Sequence, residues 1–410
     1  MKNLARVACG LALFLFALRP AYAAEEPKGL APGWLSLDGS IGLLDKKIEE
    51  GKGSLEKVLG ISIGGFLDAS YTWSSNRPGS AFNRDISGRY FDKDHNDVVF
   101  NFFNLTLEKP EKDWGIGFKL VADFGRSAEL LREATFWGSK LYRESSAELR
   151  EAFITFTIPL GEGLQVKGGK FVTPLGTEII PAPGAYNDNI SRSFAFNFGV
   201  PFTHTGALLT YPFTKTFSAS AGVVTGWDDP RDINGGPSFL GGISFTPAEV
   251  FALASNIIVG PEQRSNTSNQ RVTWSNVATI KPMDPLTVYL EYTLGHEEKA
   301  PTPTVPKDAW WHALAGIASY NWTDRFNTAL RGEVFFDTDA ARTGGFAAAS
   351  PVSSVTLGEI TLTAAYKFTA KLLGRAEVRQ DWANKSVFAK GSSGADKSQT
   401  TVAVQVIYGF

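Results

Sequence analysis

An alternation of apolar and polar side chains, with a period of two residues, runs through the chain from Ile61 to Phe410. Segments of about ten residues with this period are typical of transmembrane β-strands, whose side chains face lipid and lumen in turn. A soluble antiparallel β-sandwich shows the same alternation, so the period alone leaves both folds open. The clearest segments are 61–73, 116–124, 286–294, 360–368 and 402–410.

The connections between these segments alternate between short and long, and this separates the two folds. Outer-membrane barrels have short periplasmic turns and long outer loops, whereas a sandwich has no reason to place every long loop at one end. The segments therefore predict an all-β fold: a transmembrane antiparallel β-barrel of about sixteen strands over residues 61–410. The predicted short turns are 109–113, 160–163, 212–216, 246–249, 282–285, 323–325 and 369–371. The predicted long loops are 74–95, 125–146, 172–199, 228–236, 261–269, 297–308, 337–354 and 384–398.

The first residues have the features of a secretory signal. Lys2 and Arg6 precede an apolar run from Val7 to Leu18, and a small-x-small cleavage site ends at Ala23. The run is shorter than the ~20 residues that span a membrane as a helix, which disfavours the alternative of a membrane anchor. We therefore predict a cleaved signal peptide over residues 1–23. Its removal takes away the one Cys and three bases but no acid, and changes the net charge from −2 to −5.

Residues 24–60 have a different pattern from the rest of the exported chain. Apolar residues recur there at helical spacing up to Ile48, Gly51 and Gly53 interrupt the pattern, and Ser54 is placed to cap a second short helix. We predict a short, partly helical N-terminal extension. A loosely ordered leader and a plug inside the barrel are the alternatives.

Charged side chains on the polar face of the strands are candidate pore-lining residues. Charges at this density cannot form a dry core, so they predict a water-filled lumen, and their mixed signs predict weak ion selectivity. Four of them alternate in sign along 375–381 and form either a solvated, self-neutralised wall or a constriction. The candidates are Lys119, Asp123, Glu151, Lys167, Arg271, Glu291, Arg331, Glu333, Arg375, Glu377, Arg379 and Asp381.

The long loop 172–199 is a candidate constriction. It contains several prolines and apolar residues, and an apolar loop of this length is expected to fold into the lumen rather than extend into water. The alternative is an outer loop that packs over the mouth. The candidate constriction residues are Glu178, Asp188 and Arg192, which would face Lys167 or Arg331 on the wall.

The composition disfavours several classes of function. The chain has 40 Lys+Arg against 42 Asp+Glu, so it lacks the basic excess that nucleic-acid binding requires. It has four His. Alternation places Thr203 and Thr205 on the opposite face from His204, and His312 beside Trp310 and Trp311 fits an interface residue, so we predict no catalytic residues and no enzyme activity. The acidic segment 92–97 is similar to a calcium loop. However, Asp97 and Phe103 occupy positions that require Gly and Glu, so we predict no metal site and no cofactor.

The middle of the chain resembles a known family. The residues that carry the likeness are Gly169-Lys170-Phe171, Pro174, Gly176, Glu178, Asn187, Ser191-Arg192-Ser193, Pro201 and His204-Thr205-Gly206. They are similar to the OmpL-like β-barrel porin family, and the likeness extends from about Ile61 to Phe410. The resemblance implies an outer-membrane porin and assigns no functional residue.

We therefore expect a porin of the bacterial outer membrane, surrounded by lipid, through which small hydrophilic solutes diffuse passively. Homotrimers are an expectation by fold analogy alone. The alternative function is a plugged or scaffold barrel that sheathes a partner protein such as an electron-transfer cytochrome.

Overall fold

The computed structural model describes residues 46, 49–53, 56, 58, 60–79, 84–111, 115–135, 146–346 and 351–410. The predicted signal peptide and most of the predicted extension lie outside the described residues. No helix among the described residues is long and apolar enough to cross a membrane. The helical elements after residue 60 are α1 (Arg126–Thr135) and a π-helical turn (Ala195–Gly199).

Sixteen strands form one closed antiparallel barrel, and two further short strands form a separate hairpin. The predicted fold class and strand number are therefore confirmed. The barrel strands are β1 Ser62–Ser74, β2 Asp97–Lys109, β3 Gly117–Phe124, β4 Ala147–Ile158, β5 Leu164–Val172, β6 Thr203–Pro212, β7 Phe217–Val224, β8 Ser238–Ala248, β9 Phe251–Gln263, β10 Asn266–Met283, β11 Leu286–Ala300, β12 Lys307–Asn321, β13 Phe326–Asp337, β14 Val355–Lys367, β15 Leu372–Ala383 and β18 Ser398–Gly409. The hairpin is β16 Phe388–Lys390 with β17 Gly394–Asp396.

The barrel closes where β1 pairs with β18, for example at Tyr71 opposite Val404. Below this seam, Gly65 N donates to Phe410 O at 3.1 Å and Phe410 N donates to Gly65 O at 3.0 Å. A Cβ at position 65 would lie 2.4 Å from the Phe410 ring, so the close approach requires glycine. Closure leaves the barrel without a free sheet edge.

The outward face of the barrel is apolar. Leu290, Leu330 and Leu362 are exposed, whereas the alternate residues on the same strands, such as Arg331, are buried inside. This is the predicted arrangement of a strand that separates lipid from lumen.

A lysine on this face tests the assignment. Leu330, near the middle of β13, pairs with Ala318 and Leu362. We expect Leu330→Lys to destabilise the barrel by about 2–4 kcal/mol, because an ammonium at mid-membrane depth loses its hydration. Denaturant unfolding in phospholipid vesicles measures this. Val305→Lys, in the exposed connection between β11 and β12, is the matched control, and equal stabilities of the two variants would contradict a lipid-facing Leu330.

One predicted long loop is wrong. Instead of a loop at 261–269, β9 and β10 continue and meet at a tight turn, Arg264-Ser265, where Ser265 has φ +55°. The polar composition that indicated a loop belongs to paired strands. Their backbone hydrogen bonds are satisfied by each other, so polar side chains there do not prevent a strand from forming.

The described residues of the N-terminal extension from position 49 onward lie at the short-turn end of the barrel. Positions 49–53, 56 and 58 are helical, so the interruption predicted at Gly51 and Gly53 is not observed. Lys371, in the turn between β14 and β15, pairs with Glu49 at 2.8 Å. Glu56 Oε1 accepts a hydrogen bond from Ile63 N at 3.1 Å. These residues contact the rim rather than the interior, and a plug formed by the preceding residues stays a prediction.

Candidate functional site

The connection between β5 and β6, residues 173–202, lies inside the barrel and is called the inner loop here. Asn256 Nδ2 on β9 donates to Pro174 O at 2.8 Å, and Gly176 N donates to Ser275 Oγ on β10 at 3.0 Å. Because these wall residues alternate with outward-facing ones such as Trp274, which is exposed, the loop contacts the inner face of the wall. The hydrogen bonds to these wall residues therefore fix the position of the loop inside the barrel.

Three glutamates of the wall accept hydrogen bonds from the loop backbone. Glu291 Oε2 accepts from Thr177 N at 2.8 Å. Glu377 Oε2 accepts from Ile190 N at 2.6 Å, and its Oε1 accepts from Ser191 N at 3.1 Å. Glu333 accepts from two consecutive amides, Phe194 N at 2.5 Å and Ala195 N at 2.6 Å. Hydrogen bonds from amides to carboxylates are stronger than neutral ones, so these contacts fix the loop at three points.

Three arginines of the same wall donate to the loop. Arg331 Nη1 donates to Glu178 Oε1 at 2.8 Å and to Ser191 O at 2.7 Å, while its Nε donates to Glu359 Oε1 at 2.6 Å. Arg379 donates to Arg192 O at 2.5 Å and pairs with Asp381 at 2.6 Å. Arg375 donates to the carbonyl oxygens of Asn187 and Asn189. The glutamates and arginines together are called the clamp, which extends from β11 to β15.

The clamp corrects one part of the sequence prediction. Its residues point inward, as the alternation predicts, but the inner loop covers them. Of the two alternatives for the charges along 375–381, the solvated wall is not observed, and a role in constriction stays a prediction. Alternation reveals which side of a strand faces the interior and not what fills that interior. The predicted pore-lining residues of β11–β15 that are buried are Glu291, Arg331, Glu333, Arg375, Glu377, Arg379 and Asp381, and Asp381 contacts Arg89 of the first long loop rather than the inner loop.

The predicted constriction residues make different contacts from one another. Glu178 pairs with Arg331, one of its two predicted partners. Asp188 Oδ1 accepts from Ser319 Oγ at 2.8 Å. Arg192 donates to Ile190 O at 2.7 Å and lies over a phenylalanine ring of the loop itself. The role of these residues in constriction stays a prediction.

The remaining predicted pore-lining residues lie on other strands. Lys119 pairs with Glu151 at 3.2 Å, and Arg271 pairs with Glu297 at 2.8 Å. Asp123 is buried beside Arg150 at 3.3 Å. Lys167 does not meet Glu178; its Nζ lies over the rings of Phe153 and Phe171, at 4.9 and 5.5 Å from their centroids.

Sequence reasoning missed two arginines of the interior. Arg150 Nη1 donates to Pro181 O of the inner loop at 2.8 Å. It points inward like its neighbour Glu151 because the β3–β4 register shifts there, which strict alternation does not predict. Arg89, from the first long loop, pairs with Asp381 at 3.0 Å. No periodic signal marks a loop residue that reaches back into the barrel.

Apolar clusters enclose the inner loop where the clamp does not. Leu175 and Val200 pack with Phe171 and with inward residues of β7, β8 and β9. Phe194 packs with Trp311, Phe335 and other side chains of the wall and outer loops. Apart from Phe198, all residues from 189 to 204 are buried. This stretch of the loop therefore forms a layer beneath the outer loops.

A cavity of about 540 Å³ lies at the short-turn end of the interior, on the β4–β6 side. Among the described residues, its wall consists of three threonines, one glutamine, one lysine, one glutamate and two aliphatic side chains. The lining residues are Glu111, Thr155, Thr157, Gln165, Val166, Lys167, Leu208 and Thr210.

Two acidic groups lie where the inner loop meets the outer connection between β7 and β8. Asp228 Oδ1 accepts from Phe202 N at 2.6 Å and from Thr203 N at 2.8 Å, and burial raises the pKa of Asp228 to about 7. Burial, together with the nearby carboxylates of Glu262 and Asp228, raises the pKa of Asp229 to about 7. Both carboxyl groups therefore titrate near neutral pH. Across the described ranges, no group of three or more His, Cys, Asp or Glu side chains is arranged to hold a metal ion.

The closed barrel has sixteen strands, an apolar outer face, a charged interior and a long loop folded inside. Together these features define an outer-membrane channel of the porin class. The profile of the family described as "Putative beta-barrel porin-2, OmpL-like" matches residues 60–410. The chain belongs to this family, as the sequence resemblance predicted. No curated protein sequence matches the chain.

Solved outer-membrane proteins have a similar fold at low sequence identity. The channel DcaP of Acinetobacter baumannii superimposes with a TM-score of 0.56 and 14% identity, over 85% of this chain and 97% of that one. An anion-selective porin from Comamonas acidovorans gives 0.57 and 10%, over 85% and 99%. OprB of Pseudomonas putida gives 0.57 and 12%, over 88% and 97%. The predicted porin function is confirmed at the level of family and fold, and among these structures DcaP is described as a channel and the Comamonas protein as a porin.

Proposed function

We propose that this porin admits small hydrophilic solutes by passive diffusion and that the inner loop is its constriction. The observation that carries the proposal is the clamp, which holds the loop across the interior by carboxylate–amide and arginine–carbonyl hydrogen bonds. A loop held in this way narrows the lumen at a defined position, and its charged anchors resist displacement on the β11–β15 side.

The route for solutes lies along the opposite wall. There the loop contacts β7, β8 and β9 through apolar side chains such as Leu175 and Val200, and displacement on that side breaks no ion pair of the clamp. Toward the short turns the inward residues of β7 and β8 are small, which leaves space there, whereas Val224 and Leu240 toward the other end pack against the loop. The small residues include Ser218, Ser220, Gly222, Gly242 and Ser244.

Planar-bilayer recording tests the function. Purified, folded protein is expected to give steady, ohmic conductance steps in KCl with weak selectivity between K⁺ and Cl⁻, because the interior carries both signs of charge. Heat-modifiable migration in a detergent gel shows that the sample is folded. Folded protein without any conductance would contradict the porin proposal.

Export through a cleaved signal peptide is also part of the proposal. Lys2, Arg6 and the apolar run up to Leu18 support it, with cleavage after Ala23. Protein isolated from outer membranes is expected to begin at Ala24, and N-terminal sequencing or intact mass measures this. Ala23→Arg is expected to leave the precursor unprocessed, and recovery of the wild-type protein with residues 1–23 intact would refute cleavage.

The family and fold favour this function over a scaffold barrel. The inner loop occupies the interior that a partner protein would need. The solved structures that resemble the chain include OmpT of Vibrio cholerae in a trimer form. We propose homotrimers for this chain as well, which size-exclusion chromatography with light scattering in detergent would test.

A further inference from the structure

The cavity at the short-turn end contains a lysine that forms no ion pair with any described residue. Lys167 extends from β5, and its Nζ is placed by the rings of Phe153 and Phe171. Within the described ranges it forms no ion pair, whereas the neighbouring Lys119 is neutralised by Glu151 at 3.2 Å. An ammonium held over ring faces keeps its charge available to a solute, since the rings attract it but do not cancel it.

The rest of the cavity wall is built for hydroxyl groups. Thr155, Thr157 and Thr210 each carry a hydroxyl that both donates and accepts, and Gln165 adds an amide. The volume of about 540 Å³ lies within the range of about 300–1,000 Å³ typical of small-molecule sites. One positive charge surrounded by such groups is complementary to a small molecule with one carboxylate and several hydroxyls.

One acidic residue limits the charge that the cavity accepts. Glu111, in the turn between β2 and β3, lines the same cavity, and its Oε1 accepts from Thr157 N at 2.5 Å. Glu111 is held by Thr157, which lies two residues further along β4 than Thr155. Thr155 is the residue opposite Lys167 in the pairing of β4 with β5. A second carboxylate on the solute would therefore meet a negative charge near the turn, while a single carboxylate at Lys167 would not.

We propose that this cavity is a binding subsite for polyhydroxylated monocarboxylates, the chemical class of the sugar acids, with Lys167 as the residue that receives the carboxylate. The inference rests on the proposed porin function, because it assigns a preferred solute class to the same lumen. The subsite would raise the local concentration of such solutes at the short-turn end and slow their passage.

Bilayer recording in KCl with added solute tests the subsite. Gluconate is expected to reduce the conductance saturably, glucose not to reduce it, and glucarate to reduce it more weakly because of Glu111. Lys167→Gln is expected to weaken the apparent affinity for gluconate by about tenfold, the effect of losing one charge-assisted hydrogen bond. Lys167→Arg is expected to retain the block, and Glu111→Gln to strengthen the block by glucarate.

Lys215→Gln is the matched control. It makes the same change of charge in the exposed turn between β6 and β7, outside the cavity, and is expected to leave the block unchanged. Equal block of wild type and folded Lys167→Gln, or equal block by glucose and gluconate, would overturn the subsite while the KCl conductance still supports the porin. Absence of KCl conductance in the folded wild type would instead refute the porin function, and the subsite with it.

Discussion

Replacement of residues 178–193 of the inner loop by a shorter Gly-Ser linker is expected to raise the single-channel conductance severalfold. These residues contribute Glu178 and the backbone groups that Arg331, Arg375, Arg379 and Glu377 hold, and they include part of the layer beneath the outer loops. Without them the charges of the clamp would face water, which widens the conducting cross-section. Single-channel recording in KCl measures the change.

A shortened connection between β11 and β12 is the control for this deletion. Residues 301–306 lie outside the clamp, so shortening them is expected to leave the conductance unchanged. Both variants are first checked for heat-modifiable migration, because only folded barrels are informative. A folded inner-loop variant with wild-type conductance would show that the loop does not limit the pore.

Arg331→Met is expected to destabilise the barrel by about 3–5 kcal/mol, because it leaves Glu178 buried without its cation and leaves Glu359 with only the longer contact to Arg379 at 3.6 Å. Arg331 is fully buried and lies 2.8 Å from Glu178 and 2.6 Å from Glu359. The variant is also expected to show more frequent current transitions, since the loop loses the hydrogen bond at Ser191 O. Denaturant unfolding in vesicles and single-channel recording provide the two measurements.

The matched control is Arg325→Met in the turn between β12 and β13, where the arginine is exposed. Its loss is expected to change the stability by less than about 1 kcal/mol, as for other exposed charges. If Arg331→Met were no more harmful than Arg325→Met, the clamp would not hold the loop.

The strands and the direction of their side chains follow from the sequence because both depend on local periodicity. A pattern of period two predicts that Leu330 points outward and Arg331 inward, as the structure shows. The same pattern fails at Arg150, where a register shift turns consecutive residues inward. It also fails at 261–269, where polar residues continue the β9–β10 hairpin rather than form a loop.

Apart from the predicted meeting of Glu178 and Arg331, the contacts of the clamp have no sequence signal. Glu333 and Glu377 accept from backbone amides, and every residue other than proline offers such an amide. The charges along β15 therefore predict ion pairs between neighbouring residues, and Arg379 and Asp381 do form such a pair. They do not predict the hydrogen bonds to a loop that lies almost two hundred residues earlier in the chain. The length and apolar content of loop 172–199 indicate that it folds inward, whereas its anchoring points require the three-dimensional register of the wall.

The seam between β1 and β18 has a consequence for how the protein assembles. Tyr71 and Val404 pair across more than 300 residues of intervening chain, so β1 keeps an open edge until the last strand arrives. Contacts of such sequence separation form slowly, because the entropy of closing a very long loop is lost before they stabilise anything. Anchoring of the inner loop is delayed in the same way, because the wall residues on β11–β15 that hold it follow it in the chain by more than a hundred residues. A half-assembled sheet with an unanchored loop therefore precedes closure, and its edges need protection until β18 pairs with β1.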